Sequence, residues 1–594
     1  MDSTTMLQRL PFELLAAVCA QLPQCPCATA GTQVFSVGCT GNHAPGAFGR
    51  GSLAVLRQTS RAWRAAALGA GLAQIVSSNR WMRGGAHDRL DAVHSGYARC
   101  VRRLVFRSSD YYPDGRRRTR GDLADELEAV LALAWPSLEA VVVEWFSGSA
   151  RDHARIAAAV RRWAPRAREL YVHDKLVSLG AMGEMAALGS HVRRLAVKPY
   201  GYNQRWSALL PHERGGARML ARMPAQLTAL AIGGSDFTPE LLSALQRTQP
   251  CLKFLSVEHA WIDALSADVC LPSVTRLSLE NVVFARGAVL PLTPRMFPAL
   301  RALTLRYTWQ HAPDGSRGAV SLQDERCLSG FCAAAWPHLR ALALPAVADI
   351  DAVFLARACP QLERLATNSL DYAGPALSAA GLVDLLRGLP RLRHLSIEQR
   401  RADGSPGYSF ADAALCRLIG AADDDTRFGD RLLNRLSTAS TLVGSDTEDA
   451  DSDDSADSDA FARMLHSRLP RALSASLNTL FIPRASLTAS TLDALLKQLP
   501  NLVKLSVSLR ADSLVGLAKI RPWAHHALKW IAVSADEDIL ADPMWLSAWL
   551  VQRFPMLQEC CMNDVRSHKQ MVAGLRAAAP AVSFTRLNSR ALQT

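Results

Sequence analysis

The sequence predicts an α/β repeat array preceded by a small all-helical element, and three observations lead there. At 594 residues the chain is too long for one ordinary core, because single cores stop growing near roughly 250–300 residues, whereas a stack of repeats has no such ceiling. A short apolar pattern recurs along most of its length. Two amphipathic helical segments stand ahead of the first recurrence.

The recurring pattern is an apolar residue, a proline, any residue, a leucine, and then apolar residues three and five positions later. It reads WPSLEAVVV from Trp135, FPALRALTL from Phe297, WPHLRALAL from Trp336, CPQLERLAT from Cys359, LPRLRHLSI from Leu389 and LPNLVKLSV from Leu499. Looser copies are QPCLKFLSV from Gln249, LPSVTRLSL from Leu271, SLNTLFI from Ser476, ALKWIAV from Ala527, VRRLAV from Val192 and QLTALAI from Gln226. Proline cannot continue a helix and pushes its predecessor toward extended geometry, so it ends one element just before the next begins. The L-x-x-L-x-L step then sets its last two apolar side chains on one face of a short strand. Upstream the period becomes helical. Leu382, Leu385, Leu386 and Leu389 fall at i, i+3, i+4 and i+7, and so do Leu492, Leu495, Leu496 and Leu499. Each unit is therefore a helix, a proline turn and a strand.

Equivalent leucines recur at short intervals. Leu230 to Leu255, Leu255 to Leu277, Leu277 to Leu303, Leu365 to Leu395 and Leu480 to Leu505 span 25, 22, 26, 30 and 25 residues. One such unit cannot bury its own apolar face, but a stack can. On these residues the array, from about residue 100 to 590, resembles leucine-rich repeats of the irregular 25-residue kind, which implies an α/β solenoid shaped as a horseshoe. The leucines are core and do not identify a ligand. If that family's habit holds, binding positions are the variable residues on the exposed strand face and just after it. Candidates for holding a target protein are Trp145, His259, Trp261, Arg306, Tyr307, Trp309 and Arg400, with Glu144, Glu258, Glu280, Asn281, Asn368, Tyr372, Glu398 and Gln399 beside them. Aromatic side chains and arginine suit a protein partner's hot spots.

Ahead of the repeats stand LPFELLAAVCAQLP, Leu10 to Pro23, and LAVLRQTSRAWRAAAL, Leu53 to Leu68. In the first, Leu10-Pro11 opens a helix with Leu14, Leu15, Val18 and Leu22 on one face and Glu13 near the positive N-terminal end. In the second, Leu53, Leu56, Ser60, Trp63 and Ala67 line up similarly. About 40 helical residues make a poor core alone, so a docking partner is expected. These residues resemble the F-box: Leu10, Pro11, Glu13, Leu14, Leu15 and Val18 match its first half, and Leu53, Leu56, Ser60, Arg61, Trp63 and Arg64 its second. The resemblance implies that Leu10, Pro11, Leu14, Leu15, Val18, Leu22, Leu53, Leu56 and Trp63 contact a Skp-type adaptor within a cullin-containing SCF ubiquitin ligase. An F-box followed by leucine-rich repeats is the habitual order of one class of substrate receptor. The alternative is a leucine-rich-repeat scaffold for protein–protein interaction without a ligase.

One departure stands out. The family joins its halves by a few residues, whereas Pro23 to Ser52 intervene here. Loop entropy grows only logarithmically with length, so the two helices could still pair. That insertion holds Cys25, Cys27, Cys39 and His43, four potential zinc ligands within 19 residues. A C-x-C pair is tighter than the usual C-x(2–4)-C, and the loop offers no acid to orient the imidazole, so an unligated loop is expected and neither metal nor cofactor is assigned.

The expected organisation is F-box-like helices over 1–80, repeats over 81–400, an insertion over 401–475 and the remaining repeats over 476–594. Within the insertion, residues 445–459 carry eight acids and no base and cannot bury apolar surface, so disorder is expected there. The net charge is +13; without those eight acids it is +21. The bases are scattered and not interleaved with stacking aromatics, so nucleic acid is not the expected partner. Thirteen cysteines, odd in number and irregularly spaced, favour a reducing compartment, cytosol or nucleus. No run of about 18 uncharged apolar residues suggests a membrane span, and the N-terminus does not read as a secretory signal. No phosphate-cradling G-x(4)-G-K-[ST], H-E-x-x-H or G-x-S-x-G occurs, so no intrinsic active site is expected.

Overall fold

A computed structural model describes the repeats between 101 and 398 and between 476 and 562, apart from intervening stretches, together with 74–77, 408–409 and 582–586. The chain divides into two compact units, 1–261 and 262–594. Both are built from one repeat.

In the first unit seven strands pair in chain order, every pair parallel. They are β1 (Gln74–Ser77), β2 (Arg103–Arg107), β3 (Ala140–Phe146), β4 (Glu169–Asp174), β5 (Arg194–Pro199), β6 (Ala229–Gly233) and β7 (Phe254–Glu258). The short β8 (Trp261–Ile262) follows. In the second unit ten strands pair in chain order, again every pair parallel: β9 (Arg276–Glu280), β11 (Ala302–Arg306), β14 (Ala341–Leu344), β15 (Arg364–Thr367), β17 (His394–Ser396), β19 (Thr479–Leu487), β20 (Lys504–Leu509), β21 (Trp530–Ala535), β22 (Glu559–Met562) and β23 (Ser583–Arg586). Small accessory pairings join β10 (Val283–Phe284) to β12 (Trp309–His311), β12 to β13 (Arg317–Ala319), and β16 (Leu377–Ser378) to β18 (Tyr408–Ser409).

Parallel neighbours need a crossover, and in six of the connections a described helix supplies it. These helices are α1 (Arg120–Ala132), α2 (Ala150–Trp163), α3 (Pro239–Thr248), α4 (Asp349–Ala358), α5 (Ala379–Gly388) and α6 (Ala489–Gln498). Helix α3 shows how sequence sets the boundaries. Thr238 is extended and its Oγ1 accepts from the Leu241 N–H, Pro239 takes the first helical position, and Leu241, Leu242, Ala244 and Leu245 are buried. Proline 250 then forbids another turn, and the chain bends so that the Leu252 N–H reaches the Gln249 carbonyl at 3.1 Å. In α4 the N-cap is Ala348, which has no side-chain acceptor; the Asp351 carboxylate instead accepts from the Ala348 N–H.

All twelve recurrences named from the sequence carry a strand, and the pattern's apolar positions are the core. The residue before proline is buried in each strict copy: Trp135, Phe297, Trp336, Cys359, Leu389 and Leu499. The two tryptophans solve the same problem in the same way. The buried indole N–H of Trp135 donates to the Val130 carbonyl at 2.8 Å and that of Trp336 to the Phe331 carbonyl at 3.3 Å. The helical leucines Leu382, Leu385, Leu386, Leu492, Leu495 and Leu496 are likewise buried, on α5 and α6. Burying each such side chain contributes about 1.5–3 kcal/mol.

A backbone ladder fixes the repeats in register. Ahead of most strands of the stack the preceding residue's carbonyl accepts two N–H groups from the next repeat. Arg168 O receives Arg193 N and Arg194 N at 2.8 and 3.0 Å, and Arg340 O receives Glu363 N and Arg364 N at 2.8 and 2.9 Å. Arg393 O continues it to Asn478 N and Thr479 N, at 2.8 and 2.9 Å, across the whole 401–475 insertion. The Ser476 hydroxyl lies 2.8 Å from both the Pro390 and Leu392 carbonyls and clips the returning chain to the turn it left. Each unit is therefore a leucine-rich-repeat-like α/β solenoid.

Five strands of these sheets were not among the twelve copies. β1 lies within the segment 1–80 expected to be F-box-like, and its register with β2 runs Gln74 with Arg103 through Ser77 with Phe106. β2, β4, β22 and β23 also join; in β4 and β22 the motif is disguised, because Ala167 and Cys560 occupy leucine positions and are buried.

Candidate functional site

Strand geometry divides each repeat into core and face. In β15, Leu365 points to the core while Arg364 and Ala366, on the opposite parity, belong to the sheet's outer face. The register extends this across neighbours, so that one row of first residues and one row of middle residues run across the strands.

In the first unit the middle row includes Val105, Val142, Tyr171, Ala196, Ala231 and Ser256. It is closed: the first five form one buried cluster, with Tyr171 only 6% exposed and Ala231 at 0%, and Ser256 is 1% exposed. The row of first residues carries Arg194 and Glu169, which pair at 2.7 Å.

In the second unit the middle row is Ser278, Thr304, Ala343, Ala366, Ser396, Phe481, Ser506, Ala532 and Cys561. From Thr304 to Phe481 it is only half-buried. Small side chains make that stretch a shallow floor, which a partner's backbone can approach. Phe481 rises beside Ser396. Its ring meets the Trp530 ring at a centroid distance of 5.3 Å and a tilt of 47°. The two aromatics start on β19 and β21 and meet above β20, which accounts for Ser506 being 1% exposed beneath them. Trp530 also packs on Ala532 and Cys561.

The row of first residues in this unit runs Arg276, Ala302, Ala341, Arg364, His394, Thr479, Lys504, Trp530 and Glu559, with bases outnumbering the one acid. Arg276, Arg364 and Lys504 are exposed, and His394 lies between Arg364 and Thr479 in the register. Burial pushes the His394 pKa below that of an ordinary imidazole, and the charges of Arg364, Lys504 and Arg393 push it further, against the pull of Glu363. Arg393 and Lys529 add exposed charge just ahead of the strands. Arg364 and Lys504 have no ion pair among the described residues.

The sequence candidates distribute unevenly over this frame. Arg306 ends β11, exposed, in register with Glu280, which accepts from the Ser278 hydroxyl at 2.8 Å. Trp309 opens β12, Trp145 lies in β3 and Trp261 in β8. Glu258 is buried, and the Glu398 N–H donates to Thr367 Oγ1 at 2.8 Å. His259, Tyr307 and Arg400 lie outside the described residues, as do Leu10, Pro11, Leu14, Leu15, Val18, Leu22, Leu53, Leu56 and Trp63, and also Cys25, Cys27, Cys39 and His43. The candidates were drawn mostly from strand ends, and that choice passed over Arg364, His394, Phe481, Lys504 and Trp530. The missed signal was the position between, or just before, the core residues of each copy: the F of TLFI and the W of KWIAV.

Cys560 and Cys561 show the two-faced strand directly. Cys560 takes a core position and is 1% exposed; burial above all, with Cys561 and Glu559 adding to it, pushes its thiol up to about 12. It is held neutral at physiological pH. Among the described residues, no three His, Cys, Asp or Glu side chains gather so as to hold a metal ion, and no helix is long and apolar enough to cross a membrane.

No family model and no curated protein matches this chain. Solved structures do align with it, at low identity. A leucine-rich-repeat protein from Legionella pneumophila, LegL7, is 13% identical, with 49% of this chain and 81% of that one covered and a TM-score of 0.28. Rad7 in the yeast Rad7–Elc1 complex is 12% identical, over 80% and 90% of the two chains, at 0.32. TLR13 in complex with ssRNA13 is 14% identical, over 82% and 58%, at 0.31.

Proposed function

We propose that this chain is a non-catalytic substrate receptor of an SCF-type ubiquitin ligase. Residues 10–68 dock a Skp-type adaptor, and the open strand face of the second unit holds a target protein. The observation that carries this is the N-terminal motif, L-P-x-E-L-L followed by L-x-x-L and the Ser60–Arg64 cluster around Trp63, standing ahead of a repeat array. The receptor's contribution is proximity: it holds a target lysine near a charged conjugating enzyme supplied by other subunits. Cytosol or nucleus, where that machinery works, is the proposed location.

The test is capture of a purified Skp-type adaptor by the full chain. Leu14→Ala with Trp63→Ala should abolish capture; an adaptor that ignores the unaltered chain ends the ligase role. The long join over Pro23–Ser52 favours a second reading, a protein-binding scaffold without a ligase. Target binding that persists with no adaptor capture selects it.

A further inference from the structure

The chemistry of the second unit's face specifies a partner more narrowly than "protein". Four features converge over the five neighbouring strands β15, β17, β19, β20 and β21. The floor is shallow, with Ala366 and Ser396 half-buried. One lip is basic, with exposed Arg364 and Lys504 flanking His394 and Thr479 in the register and Arg393 and Lys529 close by. The far end holds the half-buried Phe481–Trp530 pair. Among the described residues the acids beside this patch, Glu363, Glu398 and Glu559, are fewer than the bases; Glu363 lies 3.6 Å from Arg340, the Glu398 N–H donates to Thr367 Oγ1, and Glu559 is in register with Trp530.

We infer that this patch binds an extended acidic peptide carrying one apolar side chain, laid across the strands with its acids toward Arg364 and Lys504 and its apolar residue against Phe481 and Trp530. Neighbouring strands lie about 4.8 Å apart, so five of them span about 19 Å, the length of roughly six extended residues. Uncompensated exposed bases would attract the acids. The aromatic pair supplies the buried anchor that charge alone lacks. A nucleic-acid strand fits less well: the two rings lean on each other and Trp530 lies on the sheet, so they do not offer a series of free faces for stacking bases, and Glu363 and Glu559 oppose a continuous phosphate backbone.

This deepens the target-binding half of the proposed function and is independent of the adaptor: capture through residues 10–68 and peptide binding by the second unit are separate measurements, and either can fail alone. The experiment titrates the full chain into fluorescein-labelled probes and follows anisotropy. The probes are an acidic ten-residue peptide with one leucine, the same peptide with serine in its place, and an oligothymidylate of equal charge. The leucine peptide should bind most tightly. Arg364→Glu with Lys504→Glu, both at exposed positions, should weaken it at least tenfold, while Arg168→Glu, exposed in the first unit, should leave it unchanged. Trp530→Ala should reduce binding of the leucine peptide to the level of the serine peptide. Undetectable peptide binding, equal loss with Arg168→Glu, indifference to both second-unit variants, or an oligothymidylate that binds as tightly as the peptide would each overturn the assignment.

Discussion

The two units use one repeat and one strand register, yet part of the second unit's sheet face is open and charged where the first unit's is closed. At the middle position the first unit places Val105, Val142, Tyr171, Ala196, Ala231 and Ser256, all buried; at the same position the second has a half-buried, mostly small run, Thr304, Ala343, Ala366 and Ser396, while Ser278, Ser506, Ala532 and Cys561 elsewhere in the row are buried. Charge follows the same division, since Arg194 pairs with Glu169 in the first unit while Arg364 and Lys504 stand without ion pairs among the described residues in the second. The core leucines are indifferent to this contrast: Leu230 and Leu395 are both fully buried. Folding and recognition are thus written in alternate residues of the same few-residue strand.

The sharpest way to break the comparison is to place one charge at one register position in both units. Ala231→Asp buries an unpaired carboxylate and should cost about 3 kcal/mol or more, whereas Ala343→Asp should cost under about 1 kcal/mol. Chemical denaturation of the two full-length variants measures the gap, and equal costs would mean that the faces do not differ. Moving one residue along the strand should erase the difference: Leu230→Ala and Leu342→Ala should each cost about 3 kcal/mol, because both leave cavities in equivalent cores.

The smallest effect is with pH. His394 and His525 both have pKa values held below the ordinary 6.5, by burial first; His525 is 2% exposed with Nε2 3.0 Å from the Leu499 carbonyl. The unfolded chain therefore binds these protons more readily than the folded one, so the second unit should lose stability as pH falls through about 6.5. Unfolding midpoints at pH 7.5 and 5.5 give the slope, and His525→Gln should flatten it.

The leucine scaffold was legible because its signal is redundant: proline, leucine and the strand pair repeat one another's message, and all twelve named copies are strands. Legibility failed where a single substitution removed one of those cues, at Ala167 and Cys560, since a buried alanine or cysteine satisfies the packing without announcing it. The face was harder to read. Nothing in the one-dimensional pattern separates Tyr171, buried, from Phe481, half-buried; the difference is what lies over each residue, and that is a tertiary property. Candidates such as Arg306 were found because charge beside a strand end is visible locally. Phe481 and Trp530 become a pair only when β20 sets them across one strand from each other.

The ladder rung between Arg393 and Asn478 carries a consequence for engineering. Chain leaves after β17, pairs once more through β18 with β16, and re-enters at β19 with Leu395 opposite Leu480, so residues 410–475 occupy a natural splice point whose two ends are already pinned to one scaffold. Because closing a longer or shorter span changes the entropy only logarithmically, this is where a foreign domain, a tag or a sensor can be grafted, or the native cassette exchanged, with the hydrogen-bonded frame on either side left intact.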